Sequence, residues 1–596
     1  MKRRHLQLLL LVLALNSSAL PVAPVAPVTN VTRVDHGKAA SVVAFVNVNV
    51  VPMDREGVLE GQTVVVSDGR ISEIGAASKT KVPRGATRIE GKGRYLMPGL
   101  VDMHTHLNSP AELPLYLANG VTTVFNLNGR PANLLWRADV EQGRLAGPTI
   151  YSCGPTIRTA QKADEARRLV EEQSKAGYDA IKIYNGVSKE AYDVLIAEAK
   201  KHHLLYIGHI PREPGLESVL QAGQAIAHAE EYVYTTFKNK TDDESRIPEV
   251  AAATAKAGVP VILTFVAYDH IIKQVETLPA LLAAPEMKYL APWVRDSWGV
   301  DVNPYKLNLG TQGAALTKSL AFQKKLAREL HRAGVKIMTG TDAMNPGVVP
   351  GYSEHEELRH LLDIGFTPFE ALRAATRYPA EFFKQPAEFG TIAVGKRADL
   401  LLLDGNPLRD VASVARPLGV MARGRWMPQD ELRRMLEDVP AAYAKQVEIT
   451  KAGLAEGSDK VWEYLHYNDP TNTLLARSVG DLIVEQGTEK FRRAFELAWK
   501  KDPQSPLVQE NFVNGLGYYL AGQKRLKEAI DVFQLNVATY PKSGNTYDSL
   551  AEAYMKSGDK ARAVEFYRKA IEVEPNYPNA PAAAELIKKL SAPSNE

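Results

Sequence analysis

Between Met97 and Gly390, eight short apolar runs alternate with amphipathic helical patterns, and no other feature constrains the fold as much. The first run ends in Asp102-Met103-His104-Thr105-His106; the others are Val121–Asn126, Thr149–Ser152, Ala180–Tyr184, Leu205–His209, Ala225–His228, Val259–Leu263 and Val335–Gly340. Strands joined through helices must run parallel, because a tight turn can only return the chain antiparallel. Eight such units predict an α/β fold, a (β/α)8 TIM barrel over 97–390. β-rich runs flank it on both sides: Ser41–Val50 and Gln62–Val66, with Ser67-Asp68-Gly69-Arg70 as a hairpin turn, and then Ala398–Asp404 and Val420–Trp426. Together 38–96 and 391–430 predict one small composite β-sandwich. The stretch from Ala267 to Lys318 is too long for a loop and predicts a helical insertion, either a lid at the barrel mouth or a passive addition.

A chain of 596 residues needs more than one core. Lys2, Arg3 and Arg4, then the apolar run Leu8–Leu15 and small residues Ser17-Ser18-Ala19, predict a signal peptide over 1–20 and a periplasmic or secreted protein. The run is too short to span a bilayer, and no later segment resembles a span. A Pro/Val/Ala-rich linker occupies 21–37. The balance of 72 basic and 69 acidic residues argues against a nucleic-acid partner. Cys153 is the only cysteine, so the chain has no internal disulfide and no thiolate cluster for a metal. Past a helical linker (431–470), residues Leu516, Ala529, Phe533 and Pro541 recur as Leu550, Ala563, Tyr567 and Pro575. That spacing and texture predict an all-α tetratricopeptide-like domain over 471–590, with a degenerate third copy near Leu482–Trp499. Such repeats suit a protein or peptide partner; packing on the barrel or a homo-oligomer contact is the other use.

Barrel active sites form at the C-terminal ends of the strands. His104 and His106 end the first strand, and alternation puts them on one face. Lys182 lies in the fourth, His209 ends the fifth, His228 the sixth, and Asp342 follows the eighth. Singly, each has an ordinary structural use: a hydrogen-bonded core histidine, a salt-bridged lysine, a helix-capping aspartate. Six of them at one end of one barrel point to a metal site. An inward lysine between Ile181 and Ile183 is costly to bury as a cation. It becomes reasonable as a neutral amine carbamylated by carbon dioxide.

Pro98–His106 and Thr339-Gly340-Thr341-Asp342-Ala343 resemble the amidohydrolase superfamily, and the resemblance extends from about Ser41 to Trp426. Asp179–Ile183, Ala225–His228, Glu356-Glu357-Leu358 and Thr367–Thr376 are similar to the branch holding Xaa-Pro dipeptidase (prolidase)-like and imidazolonepropionase-like enzymes. Asn126, where many relatives carry Asp, and Ala229-Glu230-Glu231, where many carry glycine, depart from it. The resemblance implies two divalent cations bridged by carbamylated Lys182. His104, His106 and Asp342 would hold one and His209 and His228 the other; zinc suits the donors.

The expected activity is hydrolysis of a C–N bond in a small dipeptide-like or N-acyl amino acid substrate. A metal-bridging hydroxide would attack, with Asp342 as general base and then acid, and Tyr232, on the loop after His228, either as an oxyanion donor or as a packing tyrosine. Hydrolysis of a cyclic amide or lactone is the alternative chemistry. Arg212 stands three residues after His209, where metal deaminases of this superfamily carry glutamate, which argues against a deaminase. A tetratricopeptide scaffold with an inactive barrel is the non-enzymatic alternative.

Overall fold

The computed structural model describes residues 42–299, 303–456, 460–471, 473–501 and 506–591; the expected signal peptide and linker lie outside them. The first flank supplies strands β1 (Val43–Val50), β2 (Leu59–Ser67), β3 (Arg70–Ala76), β4 (Thr87–Glu90) and β5 (Tyr95–Pro98). The centre supplies β6 (Leu100–Thr105), β7 (Val121–Asn126), β8 (Thr149–Ser152), β9 (Ile157–Ala160), β10 (Ala180–Val187), β11 (Leu205–Gly208), β12 (Ala225–Ala227), β13 (Val261–Ile262) and β14 (Ile337–Met338). β15 (Leu400–Leu403), β16 (Gly419–Ala422) and β17 (Arg425–Pro428) come from the second flank.

The central strands pair in parallel as β6-β7-β8 and as β9-β10-β11-β12-β13-β14. Two junctions close the ring: Cys153 bridges Ala180, and Thr105 bridges Ala343 beside the 3.1 Å bond from Met103 N–H to the Thr339 carbonyl. The eight strands of the closed ring are those expected from sequence. β9 is an addition. It shares one edge of β10 with β8, pairing Ile157 with Ile183 and Ala160 with Val187. A single buried cluster draws Val101 and Met103 from β6, Phe125 from β7, Ile207 from β11, Ala227 from β12, Ile262 from β13 and Met338 from β14. Only the inside of the ring is common to all these strands. Phe383 packs against this cluster and stacks on Tyr151 at 3.9 Å.

Both flanks build the expected small composite β-domain: its eight strands are hydrogen-bonded in one continuous sheet around a shared core of Phe45, Val64, Leu96, Leu400 and Met421. The continuity lies in β1. Its first half pairs with β4 through Val43–Val46 and its last residues pair with β5 through Asn49 and Val50, so the same edge serves two partners. The register slips between Phe45 and Val48, and Asn47 takes φ 58° there. β15 joins the flanks by pairing with β5, Leu401 opposite Met97. The 267–318 insertion is helical in its described residues, beginning with Phe265–Glu276, Leu278–Leu282 and Pro292–Ser297.

The described residues fall into two compact units, 42–443 and 444–591. The second is a run of helix pairs: Thr473–Gln486 with Thr488–Lys501, Glu510–Gly522 with Leu526–Thr539, and Gly544–Lys556 with Lys560–Val573, followed by Ala580–Ser591. Small residues set the helix spacing within a pair. A Cβ on Gly517 would lie 2.5 Å from the Phe533 ring, and Ala529 and Ala563 are fully buried. No helix among the described residues is long and apolar enough to cross a membrane.

Candidate metal centre

His104 and Asp342 are 238 positions apart in the chain yet meet because β6 and the segment after β14 are stapled together. Asp102, fully buried, does the stapling. Its Oδ1 accepts from His104 N–H (3.0 Å) and Thr341 N–H (3.0 Å), and its Oδ2 from the Thr341 hydroxyl (2.6 Å). The His104 carbonyl in turn accepts from Asp342 N–H at 2.7 Å. Gly340 permits this approach, since a Cβ there would lie 2.8 Å from His104 Cβ and 2.6 Å from Ile262 Cγ2. Asp342, His228 and Thr264 all sit at positive φ (58°, 76° and 52°). Each non-glycine residue held there costs on the order of 1–3 kcal/mol, and such residues gather at functional sites.

The side chains converge closely. Asp342 Oδ1 is 2.8 Å from His106 Nε2 and 3.1 Å from His104 Nε2. The His104 ring centroid is 4.5 Å from that of His228, which is 4.9 Å from that of His209. Lys182 Nζ lies 3.5 Å from His104 Nε2 and is buried. Ligand atoms of His104, His228 and Asp342 all fall within 4.8 Å of one another. Of the seven site residues expected from sequence, the structure brings these six together.

Tyr232 is not among them. Its hydroxyl meets the Thr254 hydroxyl at 3.2 Å, on the helix Ile247–Ala257, and the residue is fully buried there. It cannot supply an oxyanion donor to the cluster and packs the barrel wall instead. The turn Tyr232–Thr236 is π-helical, and this wider winding puts Tyr234 rather than Tyr232 beside Glu230.

Electrostatics favour metal ligation over ion pairing. Burial lowers the pKa of His104 to about 3, helped by the nearby Lys182 charge, and also lowers those of His228 and His209, so all three imidazoles are neutral near pH 7. Burial alone would raise Asp342; His104, His106 and His228 around it prevail and hold it well below the usual carboxylate range. For Lys182, burial lowers the amine to about 8 against the opposing pull of Asp342. Neutral imidazoles around one ionised carboxylate form a donor set suited to a borderline divalent cation.

Outer partners orient the rings. His228 Nδ1 is 2.8 Å from the Thr264 hydroxyl, and Glu231 Oε1 is 2.7 Å from His209 Nδ1. Both Nδ1 atoms being held, Nε2 is the nitrogen each ring has left to offer a cation, the arrangement seen around metal-bound histidines. Asn345 donates to Asp342 Oδ2. The sequence reading missed Glu231, although the Glu230-Glu231 pair had stood out as a departure. Asn126 also has a local account. Its Oδ1 accepts from Leu107 N–H at 3.1 Å while its Nδ2 donates to Ser152 and Asn133, and a carboxylate could not do both.

Comparison with known proteins agrees with this geometry. The amidohydrolase family matches residues 95–427, and a tetratricopeptide repeat matches 545–577. Ochratoxinase of Aspergillus niger is 24% identical over 62% of this chain and 83% of its own length. Imidazolonepropionase of Maricaulis maris is 26% identical over 63% of this chain and 95% of its own. A structure from Bifidobacterium longum described as a candidate prolidase superposes with a TM-score of 0.51 at 26% identity, covering 67% of this chain and 99% of that one. With its barrel matched from end to end, the chain belongs to the amidohydrolase family.

Proposed function

We propose that the protein is a metal-dependent hydrolase of C–N bonds in dipeptide-like or N-acyl amino acid substrates. The observation that carries this reading is the convergence of His104, His106, His209, His228 and Asp342 around buried Lys182. His104, His106 and Asp342 would hold one divalent cation and His209 and His228 a second, with zinc the best match to the donors. Bound there, the cations would lower the pKa of water toward neutrality and polarise a carbonyl oxygen. Lys182 fits the bridging position because burial favours its neutral amine, which adds to carbon dioxide with loss of a proton to give an anionic carbamate. Asp342, kept ionised, takes a proton at its carboxylate during attack and returns it to the departing amine nitrogen. Lys2–Arg4 and the apolar Leu8–Leu15 support export, and the helix pairs of 473–573 support a docked protein or peptide.

The test is metal analysis of the purified full-length protein, with turnover of dipeptides, N-acyl amino acids, lactones, cyclic amides and adenine measured with and without chelator. Two cations per chain and chelator-sensitive amide cleavage are expected. Lys182→Ala should lose most of the metal and at least about a thousandfold in kcat/KM. Full turnover by that variant with both metals retained would refute the scheme, and preferred turnover of lactone, cyclic amide or adenine would replace the proposed substrate class.

A further inference from the structure

Arg158 lies on β9, the strand absent from the expected ring. Pairing of Ile157 with Ile183 sets Arg158 alongside Tyr184, two residues beyond Lys182 on the same alternating face of β10. The guanidinium carbon sits 5.2 Å from the centroid of the Tyr184 ring, which itself packs 3.9 Å from the His209 ring. Tyr184 therefore separates Arg158 from the metal cluster by the width of one aromatic side chain. The charge of Arg158 is felt at both Lys182 and Tyr184.

Arg158 has no carboxylate of its own. Among the described residues no Asp or Glu lies within 4.0 Å of its guanidinium, whereas Arg137, Arg167 and Arg377 of the barrel each have such a partner. The nearest acidic groups of the mouth are otherwise placed: Glu231 is held against His209 Nδ1, and Glu230 neighbours Glu231, Asp342 and Tyr234. Stacking on an aromatic face uses only the π-surface of a guanidinium and leaves its planar edge of N–H donors for an in-plane, two-point acceptor. A carboxylate is that acceptor. In an N-acyl amino acid, the α-carboxylate carbon lies two bonds beyond the scissile nitrogen, so the group that binds it must stand close to the metal cluster.

We infer that Arg158, seated on Tyr184, is the carboxylate-binding residue of this active site, and that it selects amides whose amine portion is an amino acid with a free carboxylate. This rests on the hydrolase reading above and narrows it to N-acyl amino acids and dipeptides over neutral amides. Packing alone would also keep an arginine on a tyrosine, so the test must read charge recognition rather than stability.

A panel of N-acetyl amino acids and the matching N-acetyl amino acid amides serves as the probe set. For full-length wild-type protein and for Arg158→Gln and Arg158→Lys, both calorimetric binding and kcat/KM are measured, with metal content and melting temperature as controls. Wild type should prefer the acids over the amides by at least about thirtyfold. Arg158→Gln should bring that ratio to within threefold of unity, chiefly through KM, and Arg158→Lys should keep an intermediate preference. No acid preference in wild type, or its survival in Arg158→Gln, would overturn the assignment. If wild type binds acids selectively but cleaves neither series, the amidase reading fails while the carboxylate site stands on binding.

Discussion

Glu231→Gln isolates one step of the proposed chemistry, the orientation of His209 by a buried anion. Glu231 Oε1 lies 2.7 Å from His209 Nδ1, and its side chain is only 2% exposed, so solvent and salt screen the pair little. A close contact with a charged group contributes at most about 1.5–3 kcal/mol, and a neutral partner gives roughly half of that. Glutamine has a single oxygen: turned to His209 Nδ1 it sets its NH2 against Ile210 N–H, which now donates to Glu231 Oε2 at 3.3 Å, so that long bond is given up. The expected loss of about 1 kcal/mol falls on the basicity and alignment of His209, and hence on the cation it holds. That corresponds to roughly fivefold to tenfold weaker binding of one of the two cations, the low end of what outer partners of metal ligands usually contribute. Competition against a chromogenic chelator, with metal counted by mass spectrometry, resolves the two sites. One site weakened and the other unchanged, with stability lowered by no more than the lost Ile210 bond (about 1 kcal/mol), is the expected outcome. Two sites of wild-type affinity in Glu231→Gln, or equal loss from both, would show that Glu231 does not tune His209 as argued.

Gly340→Ala places a Cβ 2.6 Å from Ile262 Cγ2 and 2.8 Å from His104 Cβ, so it should cost about 1–3 kcal/mol in a denaturant melt and weaken metal binding through displacement of His104. Tyr232→Phe removes the 3.2 Å contact with Thr254, so stability should fall by about 1 kcal/mol while kcat/KM stays within twofold; a hundredfold loss of turnover would restore its catalytic role. Glu357 carries a testable pH dependence. Burial, outweighing the N–H groups of Val266 and Phe265, raises its pKa from 4.5 to about 8. Between those values the unfolded chain has released a proton that the folded chain keeps, so stability falls as pH rises from 4.5 toward 8 and levels off above. Glu357→Gln should flatten the dependence by up to about 1.4 kcal/mol per pH unit in denaturant titrations, and an unchanged slope would contradict the shift.

The barrel and its six converging side chains were legible because they depend on local periodicity. Each strand is short, apolar and followed by a helix, and each of the four histidines falls at or just past a strand end, so alternation and order suffice. What depends on a specific third dimension was not legible. β9 is four residues long and shares an edge with β8, an arrangement no alternation of strand and helix signals. Glu231 reaches His209 across two loops. Of the two uses open to Tyr232, oxyanion donor or packing tyrosine, a position on the loop after His228 cannot choose; its hydroxyl lies on Thr254. The register slip within β1 at Asn47 was likewise not legible, since nothing in Val46-Asn47-Val48 announces its positive φ.

Several local rules of a stable core are broken in one place. Three non-glycine residues hold positive φ, three imidazoles are buried neutral, and a lysine is buried beside them. Elsewhere in the same unit ordinary pairing is found: Thr367 and Glu370 form a reciprocal capping box at Pro368–Ala374, and Arg137 meets Asp179 at 2.8 Å. Single departures occur elsewhere, as at Asn47 and Met53, but their coincidence with buried titratable groups at the C-terminal ends of the strands is a cost the fold would shed if the site had no use. Asp102 adds a cost of its own, being fully buried with its pKa raised to about 6, and its three hydrogen bonds serve only to fix His104 against Thr341. A carboxylate retained for that single purpose ties the closure of the barrel ring to the placement of His104 and Asp342, so the joint that completes the fold also assembles the proposed metal ligands.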